Sequence, residues 1–234
     1  MERLQGYQGE TAMSKRSAVL HSRQTMVTDQ LVRRGIRDAR VLEAMRQVPR
    51  EEFVDRAKRA HAYEDRPLPI GCGQTISQPY IVAYMIEALQ LKGGEKVLEI
   101  GGGSGYAAAV LARIADHVFT IERLPELASR AQSNLAAAGA RNVTVSCTDG
   151  TQGWPEEAPF DAILVSAGAP EVPRPLLDQL KIGGTMVVPV GYDPTSQDLI
   201  RVQRTAADNF ERTTLTSVRF VPLIGEEGWE PGNF

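Results

Sequence analysis

Short apolar runs alternate with helical segments through the central half of the sequence, and this alternation constrains the fold more than any other feature. The runs are continuously apolar, which is typical of parallel strands that are buried on both faces. Parallel strands need crossover connections, and the helical segments supply them. We therefore expect an α/β, Rossmann-like fold with a mostly parallel central sheet and helices on both faces. The predicted strands are 96–100, 117–121, 143–147, 162–166 and 185–190, and the predicted helices are 106–115, 125–138 and 175–180.

The regions on either side of this core have different patterns. Apolar residues recur at helical intervals over 27–59, and a loop rich in Gly and Pro follows over 65–79. A helix is predicted over 79–91, with Pro79 in its first turn, where the missing N–H costs nothing. Two apolar runs close together in the tail predict an antiparallel addition to the sheet, at 199–202 and 215–221.

These patterns also predict the domain organisation. Residues 1–25 are polar and mixed in charge, and we expect them to form a flexible extension. We expect residues 26–234 to form a single domain. Its predicted parts are N-terminal helices and an active-site loop at 26–91, a cofactor-binding core at 92–191 and C-terminal strands at 192–234.

The composition argues against several classes of function. A formal net charge of −3 lacks the basic surplus of a nucleic-acid-binding surface. No run approaches the roughly 18 apolar residues of a membrane-spanning helix. Cys72 and Cys147 form neither a disulfide framework nor a metal motif, and His21, His61 and His117 form no metal-ligand pair. We expect a cytoplasmic monomer that binds no metal, no nucleic acid and no membrane.

Three predicted strands end in residues suited to a ligand, and open parallel sheets bind ligands at the carboxyl ends of their strands. The first strand leads through Glu99 into the glycine loop Gly101-Gly102-Gly103-Ser104-Gly105, where the backbone can approach a ligand closely. Glu122 ends the second strand and is placed to accept hydrogen bonds from both hydroxyls of a ribose. Asp149-Gly150 ends the third strand and suits the edge of an adenine. Taken alone, the glycine loop has an alternative interpretation as a tight turn without a ligand.

The glycine loop favours S-adenosylmethionine over a dinucleotide. The dinucleotide fingerprint G-x-G-x-x-G requires glycine at position 106, where the sequence has Tyr106. Glu99 before the loop and Gly105 within it suit S-adenosylmethionine, which has no phosphate to bind. The chain also offers few candidates for a general base. A carboxylate acceptor needs none, because a carboxyl group with a pKa of about 4 is already ionised at neutral pH.

The segment from Pro69 to Tyr80 carries hydroxyl and amide side chains just before a predicted helix. One interpretation is that Ser77 or Gln78 caps this helix. With Pro79 at the first helical position, Gln78 becomes the cap and Ser77 can point elsewhere. The other interpretation is a lid over the cofactor, in which the Ser77 hydroxyl donates to a substrate carboxylate.

With this segment included, the sequence resembles the protein-L-isoaspartate O-methyltransferases over about residues 26 to 229. The most specific match is Gly73-Gln74-Thr75-Ile76-Ser77-Gln78-Pro79. Further matches are Arg34-Gly35-Ile36, Val48-Pro49-Arg50, Tyr63-Glu64-Asp65, Ala158-Pro159-Phe160-Asp161, Pro189-Val190-Gly191 and Phe220-Val221-Pro222-Leu223. The sequence departs from the family's usual residues at Glu99, Gly102, Arg66 and Gly168, none of which removes a group that the chemistry needs.

The resemblance implies a role for each predicted site residue. Ser77 matches the active-site serine of the family. The segment that closes over cofactor and substrate is matched by Gln74, Thr75, Ile76 and Ser77. The cofactor loop is matched by Glu99, Gly101 and Gly103, the ribose-binding acid by Glu122, and the adenine-side pair by Asp149 and Gly150. The segment that lines the peptide groove is matched by Val221, Pro222 and Leu223.

The resemblance also implies a Rossmann-like S-adenosylmethionine-dependent methyltransferase fold with an N-terminal helical addition. The implied reaction is methyl transfer from S-adenosylmethionine to the carboxylate of L-isoaspartyl residues in damaged proteins and peptides, with D-aspartyl residues as a further candidate substrate. The ester then closes to a succinimide, and hydrolysis regenerates some normal aspartate. Two alternatives remain: a related carboxyl or small-molecule methyltransferase, and a non-catalytic protein that binds S-adenosylmethionine. Tyr106 disfavours a nicotinamide oxidoreductase.

Overall fold

The computed structural model describes residues 17–193, 195–230 and 232. The strands are β1 (Leu68–Gly71), β2 (Gln74–Ile76), β3 (Lys96–Ile100), β4 (His117–Ile121), β5 (Val143–Ser146), β6 (Phe160–Val165), β7 (Leu180–Asp193), β8 (Ser196–Ala206) and β9 (Asn209–Val218). The α-helices are α1 (17–25), α2 (Ala39–Gln47), α3 (Pro79–Ala88), α4 (Tyr106–Leu111), α5 (Pro125–Ala137) and α6 (Arg174–Gln179). Shorter π and 3₁₀ helices lie at Met26–Leu31, Val32–Arg34, Arg50–Phe53, Arg56–His61, Gly150–Gln152 and Pro155–Glu157.

Seven of these strands form one sheet in the order β5-β4-β3-β6-β7-β8-β9. The first five in that order are parallel, and β8 and β9 are added antiparallel at one edge. The chain leaves β3 towards β4 and leaves β6 towards β7, on opposite sides of this neighbouring pair. The crevice beside β3 and β6 is therefore the switch point, where open parallel sheets bind ligands. The predicted parallel core and its antiparallel addition are both confirmed.

Helices cover both faces of the sheet. Successive residues of a strand point to opposite faces, so neighbouring residues pack against different helices. On β3, Val97 belongs to one apolar cluster and Leu98 to the other. The cluster around Val97 includes residues of α2, α3, α4 and α5. The cluster around Leu98 includes residues of α6, and Trp154 packs against it. The prediction of helices on both faces is confirmed, with most of the helices on the Val97 side.

The N-terminal helical addition begins earlier in the chain than the sequence indicates. The predicted flexible extension over 1–25 ends too late, because residues 17–25 form α1. Arg23 on α1 donates to the Tyr63 hydroxyl over 2.8 Å and pairs with Glu51 over 3.2 Å, which attaches the helix to the rest of the addition. Residues 1–16 lie outside the described residues. Further along, Gly35 ends a 3₁₀ helix with a φ of 102°, and the Asp38 side chain caps α2.

The loop predicted over 65–79 contains a hairpin that the sequence pattern did not reveal. Strands β1 and β2 pair antiparallel, with Leu68 opposite Ile76. Leu68, Ile70 and Ile76 are buried, so the hairpin presents an apolar face to the core. Strand β1 was not predicted because it contains Pro69 and Gly71, and both residues are poor strand formers. We call residues 68–77 the flap.

Other boundaries differ from the prediction by a few residues. The predicted helix over 175–180 and strand over 185–190 leave residues 181–184 as a connection, but β7 already begins at Leu180 and runs through Gly183 and Gly184, with a shift in register against β6. Helices α3 and α4 end before the predicted 91 and 115, and β9 ends before residues 219–221. Within the described residues, no helix is both long and apolar enough to cross a membrane.

Candidate active site

Two adjoining cavities open at the carboxyl ends of the parallel strands. The outer cavity has a volume of about 70 Å³ and the inner cavity a volume of about 40 Å³. Thr75, Gly101, Gly103 and Ser166 line both. The outer cavity is further lined by Gln74, Glu122, Arg123, Gly150, Val221, Pro222, Leu223 and Ile224, and the inner cavity by Ile76, Ser77, Met85, Glu99, Ser104 and Tyr106.

Every predicted site residue except Asp149 therefore lines one or both cavities. These residues come from the flap, from the ends of three parallel strands and from the C-terminal segment after β9. The fold brings them together because parallel strands end at one edge of the sheet, while the flap and the C-terminal segment both reach that edge.

The glycine loop after β3 approaches both cavities with its backbone. Gly101 and Gly103 have φ values of 83° and 55°, in the left-handed region that favours glycine. The N–H groups of Gly101 and Gly102 both donate to the carbonyl of Ile121 at the end of β4, over 2.9 and 3.0 Å. A Cβ atom on Gly102 would lie 2.5 Å from the Thr120 hydroxyl oxygen. Thr120 thus occupies the space that a larger residue at position 102 would need.

Glu122 ties the glycine loop to the end of β4. Its Oε2 accepts a hydrogen bond from the Gly103 N–H over 2.8 Å, and its Oε1 accepts one from the Leu124 N–H over 2.9 Å. The side chain is nearly buried and lines the outer cavity. Each carboxylate oxygen can accept a second hydrogen bond, so the carboxylate can also receive the two hydroxyls of a ribose.

Two buried polar atoms of residues that line the inner cavity have no hydrogen-bond partner among the described residues. Glu99 is 1% exposed; its Oε2 accepts a hydrogen bond from the Thr120 hydroxyl over 2.7 Å, but its Oε1 has no partner. The buried Oγ of Ser104 also has none. Burial raises the pKa of Glu99 to about 7, against the opposing effect of the Thr120 hydrogen bond. Because buried polar atoms are normally paired, both atoms point to a ligand with hydrogen-bond donors.

Ser77 lies at the junction of the flap and α3. Gln78 is the residue that precedes the first turn of α3, and no side chain of the described residues caps this helix end. The capping interpretation of Ser77 is therefore wrong. Within the described residues, the Ser77 hydroxyl makes no hydrogen bond, while its backbone carbonyl accepts one from Arg50 over 2.8 Å. The hydroxyl is available to a ligand in the inner cavity.

The flap is held over the glycine loop by contacts at both ends. Ile70 packs so close to Gly103 that a Cβ atom there would lie 3.2 Å from the Ile70 Cδ1. Arg130 on α5 donates to the Ile70 carbonyl over 2.7 Å and pairs with Asp55 over 2.8 Å. With Arg50 bound to the Ser77 carbonyl at the other end, the flap closes one wall of the inner cavity.

Asp149 is turned away from the cavities and holds the C-terminal segment. Its Oδ1 accepts hydrogen bonds from the N–H and hydroxyl of Thr151, and its Oδ2 accepts one from the Glu226 N–H over 2.8 Å. Gly225 lies directly against this carboxylate, with no space for a Cβ atom. Of the predicted adenine-side pair, the structure thus places Gly150 in the outer cavity wall and Asp149 beneath the C-terminal segment.

The C-terminal segment 221–229 is bound to the loop after β6. Gly168 donates to the Val221 carbonyl and accepts from the Leu223 N–H, both over 2.8 Å. The Trp229 indole N–H also donates to the Gly168 carbonyl, over 3.0 Å. These bonds place Val221, Pro222 and Leu223 in the outer cavity wall.

The sequence interpretation missed several residues that line the cavities. Ser166 follows β6 at the switch point and lines both cavities. The strand-end rule that identified Glu122 would also have identified Ser166. Met85 on α3 and Arg123 carried no such signal. Among the described residues, no group of three or more His, Cys, Asp or Glu side chains is arranged to hold a metal ion.

Comparisons with known proteins agree on one family. The model of the Protein-L-isoaspartate(D-aspartate) O-methyltransferase family matches residues 21–228. Protein-L-isoaspartate O-methyltransferase 2 of Pelobacter propionicus is 60% identical over 209 residues, which cover 89% of this chain and 93% of the relative. Protein-L-isoaspartate O-methyltransferase 1 of Rhodopseudomonas palustris is 60% identical over 207 residues, covering 88% of this chain and 84% of the relative.

Solved structures of the same name are also similar. One protein-L-isoaspartate O-methyltransferase superposes with a TM-score of 0.80 at 32% identity, covering 88% of this chain and 67% of the other. A Plasmodium falciparum protein described by that activity, in complex with S-adenosyl-L-homocysteine, superposes with a TM-score of 0.76 at 27% identity, covering 86% of this chain and 98% of the other.

Proposed function

The chain belongs to the protein-L-isoaspartate O-methyltransferase family, and from this membership we propose how its residues perform the family's reaction. The enzyme transfers a methyl group from S-adenosylmethionine to the free carboxylate of L-isoaspartyl residues in damaged proteins and peptides. The resulting ester starts repair through a succinimide. We propose D-aspartyl residues as a second substrate, in keeping with the name of the family.

The residues of the two cavities fit S-adenosylmethionine. Glu122 would accept hydrogen bonds from the ribose hydroxyls, and Gly150 would lie beside the adenine. The unpaired Glu99 Oε1 and Ser104 Oγ would accept hydrogen bonds from the ammonium group of the methionyl part. When bound, this cofactor supplies a methyl group that its sulfonium has already activated.

Ser77 is the proposed catalytic residue. Among the described residues its hydroxyl has no hydrogen-bond partner, and Ser77 lines the same cavity as Glu99, whose Oε1 is also without one; this observation carries the proposal. The Ser77 O–H would donate to the substrate carboxylate and orient it, which is the main requirement when the nucleophile is already ionised. The flap would exclude water from the inner cavity. No residue needs to remove a proton from the acceptor.

The peptide is proposed to bind along the C-terminal segment. Val221, Pro222 and Leu223 form an apolar wall of the outer cavity, and their backbone is fixed through Gly168. A peptide lying along this wall would present its isoaspartyl side chain to the flap. Gln74, Thr75 and Ile76 would contact the cofactor from the flap side.

Methyl transfer from radiolabelled S-adenosylmethionine to a matched pair of peptides tests the function. One peptide contains an L-isoaspartyl residue and the other a normal aspartyl residue at the same position. We expect label in the isoaspartyl peptide alone, released as methanol when base hydrolyses the ester. Equal labelling of both peptides, or binding of the cofactor without any ester, would contradict the assignment.

We also propose that the protein acts in the cytoplasm as a monomer, without a nucleic acid partner. Cys72 and Cys147 are exposed free thiols, which suits a reducing compartment. The pI of about 5.7 does not favour a nucleic acid. Light scattering at micromolar concentration measures the mass, and a value near 25.6 kDa is expected.

A further inference from the structure

We propose that Arg50, in the N-terminal helical addition, is a positioning residue that holds the Ser77 end of the flap and whose buried charge favours an anionic group in the inner cavity. This deepens the proposed function and rests on the role given to Ser77. Arg50 touches neither cavity, so it would act through Ser77 and through its electrostatic field.

Arg50 joins the N-terminal addition to the flap. Its side chain is 0% exposed, its Nε donates to the Ala62 carbonyl over 2.7 Å, and its Nη2 donates to the Ser77 carbonyl over 2.8 Å. The guanidinium carbon lies 4.8 Å from the centre of the Tyr106 ring. Ser77 and Tyr106 both line the inner cavity, so the guanidinium lies directly behind its wall.

The charge of Arg50 is not neutralised by a carboxylate. The acceptors of its two hydrogen bonds are neutral carbonyls, and in the part of the chain that the structure describes Nη1 has no hydrogen-bond partner. Arg23 in the same addition differs, because it pairs with Glu51. Among the described residues, Arg50 forms an ion pair with no carboxylate. It forms none with Glu99, whose carboxylate lines the inner cavity. Burial lowers the pKa of Arg50, with Tyr106 and Tyr63 acting in the opposite direction, but an arginine in a protein stays protonated.

A buried and unpaired cation is costly, so its presence behind an active site calls for a compensating benefit. The field of such a charge is weakly screened where protein lies between the charge and the cavity, and here Ser77 and Tyr106 occupy that space. A substrate carboxylate held by Ser77 would be attracted by this field, whereas the cationic sulfonium of the cofactor would be repelled. We therefore expect Arg50 to favour the carboxylate of the peptide over a neutral group of the same shape, and to have little effect on S-adenosyl-L-homocysteine, whose sulfur carries no charge.

Three variants separate charge from shape. Arg50→Met keeps most of the volume, Arg50→Gln keeps donors for a carbonyl, and Arg50→Lys keeps the charge. Each is saturated with S-adenosyl-L-homocysteine, and the dissociation constants of two peptides are measured. One is the isoaspartyl peptide and the other is its analogue with a carboxamide in place of the free carboxylate. The ratio of the two dissociation constants is compared between wild type and each variant. This comparison isolates the contribution of the carboxylate to binding, as in a double-mutant cycle.

The wild type is expected to prefer the carboxylate peptide, and this preference should fall about ten-fold in the Met and Gln variants. The Lys variant should retain most of it. The affinity for S-adenosyl-L-homocysteine should stay within about two-fold of wild type in all three, since Arg50 does not line the cofactor site. A purely structural role predicts instead that both peptides bind more weakly by the same factor, and that result would overturn the proposal.

Folding of each variant is checked by thermal unfolding before binding is measured. If the Met variant does not fold, the Gln variant gives the same comparison. If neither neutral variant folds at 25 °C, both are measured at lower temperature with a stabilising osmolyte, so that the charge is still removed from a folded protein. A lost preference in the Lys variant, which keeps the charge, would contradict the proposal. A wild type that fails to methylate the isoaspartyl peptide would instead contradict the proposed function, so the two failures are distinguishable.

Discussion

Thr120 on β4 stands opposite Glu99 on β3, and its hydroxyl donates to Glu99 Oε2 over 2.7 Å, which leaves the other carboxylate oxygen buried and unpaired. This pair lies below the glycine loop, and the Thr120 hydroxyl fills the space beside Gly102. The protein thus keeps an ionisable group in its core whose second oxygen faces a cavity and has no partner among the described residues. Stability and cofactor binding should therefore make opposite demands on Glu99.

Glu99→Gln should stabilise the ligand-free protein at high pH. The pKa of Glu99 is about 7 in the folded state and near 4.5 in the unfolded state, so the folded state binds more protons between these values. Stability from this group is fully present below about pH 4.5 and is lost as the pH rises through 7. At pH 8 the variant should be more stable than wild type by up to about 3 kcal/mol, with little difference at pH 5. Denaturant unfolding across this range measures the difference.

The exposed Glu156→Gln serves as the matched control for Glu99, since no pH-dependent difference of this size is expected there. A stability difference between wild type and Glu99→Gln that is constant from pH 5 to pH 8 would contradict the assignment.

Glu99→Gln should also bind S-adenosylmethionine more weakly than wild type does, because an amide carries no charge to attract the ammonium group.

Ser77→Ala should reduce turnover far more than cofactor affinity. Loss of one hydrogen bond to a charged acceptor should lower kcat by about ten- to one hundred-fold. The dissociation constant of S-adenosylmethionine, measured by calorimetry, should change little. Ser77→Thr keeps the hydroxyl and is expected to keep more activity. Equal losses in turnover and cofactor binding would show that Ser77 does not act on the substrate.

Glu122→Gln should weaken cofactor binding by about ten-fold or more. The amide has one acceptor oxygen, so its NH₂ group would face the N–H of either Gly103 or Leu124. The remaining oxygen could accept a hydrogen bond from only one of the two ribose hydroxyls. The dissociation constant of S-adenosyl-L-homocysteine measures the effect. An affinity equal to wild type would remove Glu122 from the cofactor site.

Gly225→Ala should displace the C-terminal segment, because its Cβ atom would overlap the Asp149 carboxylate. The KM for the isoaspartyl peptide should rise, since Val221, Pro222 and Leu223 would shift with the segment. Asp149→Ala removes the obstacle, so the double variant should be less impaired than the sum of the two single changes. Strict additivity of the two effects on KM would argue that Asp149 does not hold the segment.

Much of the site could be predicted because it lies at strand ends. Glu99 lies near the end of one strand of the parallel sheet, Glu122 and Gly150 follow two others, and such strands necessarily end at the same edge. Asp149 satisfied the same rule but faces the Glu226 N–H, 77 residues further along the chain. No local pattern reveals that partner. The two strands of the flap escaped prediction for a similar reason, although the segment itself was expected to be a lid: the strands are stabilised by packing on Gly103 and by Arg130 rather than by their own propensity.

The sequence by itself determined the alternation of strands and helices, the parallel core and the glycine loop, because these follow from hydrophobic periodicity and local backbone geometry. Only the tertiary structure decided which polar groups have partners. The Ser77 hydroxyl, the second oxygen of Glu99 and the charge of Arg50 are distinguished by the absence of a matching group in the described residues around them. Burial and pairing depend on contacts between residues that are distant in the chain. Sequence patterns describe neighbouring residues and do not show which distant residues come into contact.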